Sequence, residues 1–420
     1  MSNNFQSRHR LKFATAAAAA AFLLAACGGN DAGSGGNGSG GSNKNSFTVP
    51  EASDEARQAA IELGFLNKNL KYDDLNPVMQ RTMNKVATKL TDTQWSKLQE
   101  CMTVTSCQTG HGDLTVAYAN DIINPWRQTS RAEFTAAAIQ SPEIGKIVYT
   151  LGEEVPKLIA NINSMIAQKA DIIVMNTIYG AAVLPAIDAA RRAGVTIIQS
   201  GNNMPDEVKS QLSGEADEDV CTPWQLTADE LIKTHPGGGT YGLYTGIPGN
   251  ASAAVWQPCL TKKLDPAGWT KVIQGFTNWT EQGMAQQGAA MYASGKNPDF
   301  VAYDYALENF AGPYIRAGKT PPILGSDAAN YGFLAQVLDA KKKGINIQAY
   351  ISPARDWLIR VGLEYGLMLK EGEKIEPFLI PSGAATLEDL LANYDPKMPS
   401  NAPITHFFNA EQEKWILSQG

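Results

Sequence analysis

The chain has 420 residues, 44% of them hydrophobic, with 35 Lys and Arg against 42 Asp and Glu, a formal charge of −7. The length suits two domains of ordinary size. The acidic balance argues against a nucleic-acid partner, whose phosphates demand a basic face.

The first element is a leader. Arg8, Arg10 and Lys12 precede an apolar stretch, Phe13 to Ala26, that ends in Leu24-Ala25-Ala26-Cys27. A charged start, a short apolar segment and small residues before a cut describe a secretory signal. The stretch is too short for a spanning helix, which needs about 20 apolar residues. With cysteine at the cut it resembles a bacterial lipoprotein signal. That resemblance implies a diacylglycerol on Cys27, removal of residues 1–26 and a protein held outside the cytoplasm by lipid. The alternative is an ordinary cleaved signal with a chance cysteine. Residues 27–46 form a Gly/Ser/Asn-rich tether, whose reach is roughly 20–25 Å root-mean-square. Gly36, Gly38 and Gly41 match the dinucleotide-binding spacing, but no strand precedes them, so the match carries no site.

Residues 47–112 read as a helical extension. One helix opens near Ser53-Asp54-Glu55, a second covers Pro77 to Leu90, and a third starts at Thr91-Asp92 with Trp95, Leu98 and Met102 on one face. It carries no catalytic pattern and is expected to cap the main body.

From Asp113 the texture changes. Strands are expected at 114–119, 146–149, 171–175 and 195–198, alternating with helices at 129–139, 156–168 and 181–193. The pattern restarts with strands at 240–244, 272–273, 300–303, 323–324 and 347–351, and helices at 250–264, 282–295, 308–317 and 331–343. Unbroken apolar strands alternating with helices mean parallel sheets covered on both faces. Two such units suggest two lobes with a cleft between them, where ligands are expected at the carboxyl ends of the strands.

Besides Cys27 there are four cysteines. Proximity pairs Cys101 with Cys107, leaving Cys221 with Cys259. An oxidising compartment makes disulfides the default. A zinc site is the alternative, but no Cys-x-x-Cys occurs and His111, His235 and His406 show no ligand spacing. No metal and no cofactor is expected. An enzyme is the rival class; no phosphate loop, Gly-x-Ser-x-Gly or His-Glu-x-x-His motif appears.

Val116 to Asn120 followed by Asn124-Pro125-Trp126, then Ala160 to Val174, then Pro185 to Val195, resemble in order and spacing the type I periplasmic sugar-binding proteins of the ribose-binding group. The resemblance runs from about Asp113 to Pro381. It implies an α/β fold of two Rossmann-like parallel-sheet lobes joined by a three-strand hinge. Residues 113–218 plus 354–378 would form lobe 1, and 219–353 plus 379–420 lobe 2. It further implies a monomeric substrate-binding lipoprotein that delivers a sugar or related uncharged ring compound to an ABC permease. A sensory protein that presents its ligand to a membrane receptor or kinase is the alternative, as is a binder of non-sugar aromatic compounds.

Carried over by position, the resemblance offers Asn120, Asn124, Trp126, Asn176, Thr177 and Tyr179 from the first lobe. Gly201-Asn202 stands where the family has an Asp-Arg pair, and Trp256 where it often has arginine. Trp279, Asp304 and Asp327 complete the candidates. With both charged anchors missing, the cleft is expected to be more aromatic and less charged than is usual for the family. Plain core packing is the alternative for Trp126, Trp256 and Trp279, and a turn or helix cap for Asp327.

Overall fold

The computed structural model describes residues 51–352, 355–382 and 385–419. The leader, Cys27 and the tether lie outside them. Three helices come first, each started by its own cap. In α1 (Asp54–Phe65) Ser53 accepts the Ala56 N–H, and in α2 (Pro77–Ala87) Asn76 accepts that of Met79. A reciprocal Thr91–Gln94 capping box opens α3 (Asp92–Met102).

The first α/β unit runs through β1 (Ser106–Gln108), β2 (Leu114–Asn120), α4 (Pro125–Ile139), β3 (Ile144–Leu151), α5 (Val155–Ala167), β4 (Ile172–Asn176), α6 (Leu184–Arg192), β5 (Thr196–Ser200), α7 (Asp206–Lys209) and β6 (Gly214–Glu218). The second holds α8 (Cys221–Thr234), β7 (Thr240–Thr245), α9 (Ala251–Leu264), β8 (Thr270–Phe276), α10 (Glu281–Ala293), β9 (Phe300–Tyr303), α11 (Glu308–Arg316), β10 (Ile323–Ser326), α12 (Tyr331–Lys342) and β11 (Ala349–Ile351). Then come α13 (Leu358–Lys370), β12 (Leu379–Ile380), α14 (Leu387–Ala392) and α15 (Ala410–Leu417).

The strands form two sheets. One has the order β1-β3-β2-β4-β5-β6-β12 and is parallel except at β1; the other, β11-β10-β9-β7-β8, is parallel throughout. Each is covered on both faces, as its unbroken apolar strands require. In the first lobe α5 and α6 bury Leu158, Ile162 and Ile187 against one face, while α4 and α13 bury Phe134, Ile359 and Leu363 on the other. In the second, α8 and α9 pack around Trp224 and Trp256, and α10, α11 and α12 around Phe310 and Phe333.

The helical extension caps the first lobe, as expected. Ile61, Phe65, Val78 and Met83 join a core with Trp357, Val361 and Tyr365. Its buried cation Lys85 gives one hydrogen bond to Glu364 Oε1 and one to Ser141 Oγ, both 2.6 Å. Both expected disulfides are formed, Cys101–Cys107 and Cys221–Cys259.

Four differences matter. Helix α4 starts at Pro125, not Thr129, because Asn124 caps it. Strand β6 and helix α8 were not expected; the strand's sequence, Gly-Glu-Ala-Asp-Glu, is polar enough to read as loop. Residues 379–420 do not all belong to the second lobe. Strand β12 pairs with β6 in the first sheet, and α15 buries Ile416 in the first lobe's core, because Leu379-Ile380 and the Trp415-Ile416 face find apolar partners there. Beyond the three connections after β6, β11 and β12, the C-terminal tail adds a fourth pass. Ile404 packs in the second lobe, whereas the Phe407 N–H already donates to Glu133 of the first. The three hinge connections are tied together by Arg355, which pairs with Glu218 and lies 3.4 Å from Ser382 Oγ. The Arg355 and Trp357 side chains also donate to the carbonyl of Gly64 at the end of α1.

Candidate binding cleft

A cavity lies between the lobes, at the carboxyl ends of β2, β5, β6, β9 and β10. It encloses roughly 690 Å³, part of it open to solvent, within the range of small-molecule sites. The lobes meet around it. Ile178 of the first lobe is buried in the second lobe's core cluster, and its carbonyl accepts the Ala251 N–H at 3.4 Å.

The first lobe's wall is set by the start of α4. Asn124 accepts the Arg127 N–H at 2.9 Å, which fixes the turn that carries Trp126 and Arg127 to the cavity. The Arg127 guanidinium pairs with Asp121 at 3.1 Å, and Asp121 in turn accepts the Ile178 N–H at 2.6 Å. Asp121 is fully buried, and desolvation pushes its carboxyl up against the pull of Arg127. Arg127 Nη1 and Trp126 Nε1 are buried without a partner. Both point to a ligand acceptor, since an unpaired buried donor is costly. Asn202 lines the same side, with its amide held by Asn176 at 2.5 Å.

The second lobe's wall is built around Asp304. Its Oδ1 accepts Trp279 Nε1 at 2.9 Å; its Oδ2 accepts Thr245 Oγ1 at 2.5 Å and, at 3.3 Å, both Asn250 Nδ2 and Trp256 Nε1. A carboxylate with four donors has little capacity left for a ligand, so Asp304 acts as the post that orients the Trp279 indole. Burial pushes it up to about 6, while the hydroxyl and indole donors pull it down. The ring of Trp279 lies flat on Gly246, where even a Cβ would stand 1.9 Å from Cδ2. Asn278 and Trp279 both have left-handed backbone, φ 53° and 51°. Such a conformation in a bulky residue costs energy and commonly marks a functional site.

The rim between the lobes is acidic. Asp217 and Glu218 end β6, and Asp327 follows β10. Asp217 is 1% exposed; its Oδ2 accepts Asn203 Nδ2 at 3.2 Å, and its Oδ1 receives no hydrogen bond from an N–H or hydroxyl donor. Burial and the neighbouring Glu215 push Asp217 well up; burial, Asp304 and Glu218 do the same to Asp327. The cleft therefore holds charged groups of both signs beside its tryptophans. Two of the carboxylates, Asp217 and Glu218, come from β6, an acidic strand legible as loop, and the arginine sits one residue beyond Trp126 instead of after the fourth strand.

A model of the periplasmic binding protein domain matches residues 118–345, more than half of the chain. The chain belongs to the periplasmic binding protein family. Solved structures agree on the fold. The chain is similar to an ABC transporter solute-binding protein from Thermobispora bispora, at 19% identity and TM-score 0.60, over 72% of this chain and 94% of that one. It is similar to an arabinose-transporter binding protein from Shewanella sp. ANA-3 holding arabinofuranose, at 16% identity and TM-score 0.59, over 67% and 94%. It is also similar to a solute-binding protein from Bacillus halodurans with bound myo-inositol, at 15% identity and TM-score 0.56, over 67% and 98%. A search of curated proteins gives no match.

In this binding protein six of the candidate residues line one cavity: Asn124, Trp126, Asn202, Trp279, Asp304 and Asp327. Five stand behind or beside it. Asn120 donates to the Ile122 carbonyl, Asn176 holds Asn202, Thr177 accepts the Tyr179 N–H, and Tyr179 donates to the Glu153 carbonyl. Trp256 is fully buried, stacked on Trp224 at 4.5 Å, and touches the site only through Asp304. Arg127, Asn203, Asp217, Glu218, Asn250, Ser252 and Tyr305 line the cavity without having been singled out. Only Arg127 had a usable signal, its place in the first turn after the Asn-Pro-Trp step.

Proposed function

We propose that this protein is an extracytoplasmic, lipid-anchored solute receptor that captures a sugar or related polyhydroxylated ring compound and hands it to an ABC importer. The observation that carries the ligand class is the pairing of Trp126 on one lobe with Trp279 on the other, amid amide, carboxyl and guanidinium groups. A ring with apolar faces and a rim of hydroxyls needs flat apolar plates and polar partners of fixed geometry, because buried unpaired hydroxyls are costly. The solved relatives with bound arabinofuranose and myo-inositol support the same class. Closure of two lobes about a hinge gives a bound form that a permease can distinguish from the open one. The anchor reading rests on Leu24-Ala25-Ala26-Cys27.

Two experiments test this. A thermal-shift screen of sugars and cyclitols on the purified protein should find stabilisers, worth about 2.7 kcal/mol at 100 times the dissociation constant; a screen in which only other compound classes stabilise would reject the ligand class. Cys27→Ala should release the protein from the membrane fraction or block its maturation, and unchanged retention and processing would reject the anchor.

A further inference from the structure

The charges around the cleft do not cancel within the protein. Arg127 is balanced by Asp121 at 3.1 Å, and Glu218 by Arg355. Asp304 is saturated by donors from Thr245, Asn250, Trp256 and Trp279. Lys209, on the β6 side, is taken by Glu215 at 3.0 Å. Among the described residues no basic group pairs with Asp217 or Asp327. Both line the cavity, and the Oδ1 of Asp217, a residue 1% exposed, receives no hydrogen bond from an N–H or hydroxyl donor, with the Glu215 carboxyl beside it. Asp304 and Glu218 add repulsion at Asp327. Carboxyl groups crowded together with no basic partner are driven toward their neutral form, and a cation supplied from outside the fold would restore and pair their charge. A metal ion is a poor candidate, because no group of three His, Cys, Asp or Glu among the described residues could hold one.

We propose that the natural ligand carries a protonated amine, seated against the Asp217 and Asp327 side of the cleft: an amino sugar or aminocyclitol. This rests on the ring-compound reading above and narrows it. A neutral hydroxyl can donate a hydrogen bond to either carboxylate, but only an ammonium also offsets the charge, and charge-assisted bonds are roughly twice as strong. Trp126 and Trp279 suit the same ligand, since indole faces attract cations. The same cavity offers Arg127 Nη1 and Trp126 Nε1, buried donors without a partner that want a ring oxygen or hydroxyl. The cleft thus suits a ligand that carries both a basic group and acceptor oxygens. The acidic surface as a whole, formal charge −7, favours capture of a cation at long range.

The test is calorimetric titration of the purified protein with matched series: D-glucose, D-glucosamine and N-acetylglucosamine; the corresponding galactose set; and myo-inositol with an amino-inositol. In the series whose ring fits, the amine should bind at least tenfold tighter than its hydroxyl parent, and N-acetylation should remove the gain. Asp327→Asn, with its fold checked by circular dichroism, should collapse the ratio between amine and parent, and Asp217→Asn should do the same. A parent that binds as tightly as its amine in every series overturns the proposal while leaving the ring-compound reading standing. So does a ratio that survives both Asn variants. No binding by any member overturns the ring-compound reading itself, and this proposal with it.

Discussion

Gly246→Ala is the most informative single change to the cleft. The added Cβ would lie 1.9 Å from Trp279 Cδ2, 2.1 Å from Cε3 and 2.2 Å from Cε2. Ordinary carbon contacts are about 3.5–4.0 Å, so the indole has to move by roughly 1.5–2 Å. Such a shift breaks the 2.9 Å bond from Nε1 to Asp304. Hydrogen bonds to charged groups are worth about 1.5–3 kcal/mol, and the displaced ring no longer presents its face to the cavity. Ligand affinity should therefore fall by about ten- to a hundredfold, since each 1.4 kcal/mol is a factor of ten. Gly249→Ala in the same loop is the control: its φ of 75° makes a Cβ costly, but nothing lies within 4 Å of that Cβ. It should lower the melting temperature and leave affinity unchanged. Calorimetric titration of both variants with the best-binding ring compound measures this. Wild-type affinity in Gly246→Ala would refute the idea that the Trp279 plate, held by Asp304, forms the site.

Three further outcomes follow from the same structure. Asp304 is raised to about 6, so its acceptor role is complete above that pH and is lost as pH falls through it; affinity should drop roughly tenfold one unit below, and Asp304→Asn should flatten the profile, as titrations from pH 5 to 8 would show. Glu413, buried beside Glu133 and bonded to Thr129 Oγ1, is pushed up to about 8, so its contribution to stability is full below the ordinary value of 4.5 and is lost as pH rises through 8; Glu413→Gln should melt close to wild type at pH 5 and, at pH 8.5, higher by roughly a few degrees. Reducing Cys221–Cys259, which spans 38 residues, should cost about 4 kcal/mol in the chain-entropy model, measurable as a lower denaturant midpoint for the Cys221→Ser/Cys259→Ser pair.

Much of the fold was legible in the chain. Ile172 to Val174 and Phe300 to Ala302 are runs that only a sheet covered on both faces can bury, and both became central strands. Gly194 correctly marked the end of the helix expected over 181–193, whereas α6 opens only at Leu184, just before Pro185, because residues 180–183 form a tighter 3-10 turn. What was not legible depended on partners far away in sequence. Strand β6 is acidic, yet it pairs with β5 and β12, and that pairing turns Asp217 and Glu218 from a solvated run into the cleft's rim. Trp256, inside α9, and Trp279, just after β8, are both tryptophans that the sequence offers to the site. Only packing separates them: Trp224 covers Trp256, while Gly246 leaves room for Trp279 to lie at the cavity. Asp304 was a candidate from its position after a strand, but its role of holding the indole depends on the four donors that the fold brings to it.

The most direct test of the central claim is a crystal structure of the protein with the ring compound that stabilises it most. The ring should lie between the lobes in contact with both Trp126 and Trp279, its polar atoms paired with Arg127 and with Asp217 or Asp327. A ligand bound anywhere else, or held in the cleft without touching either tryptophan, would contradict the account.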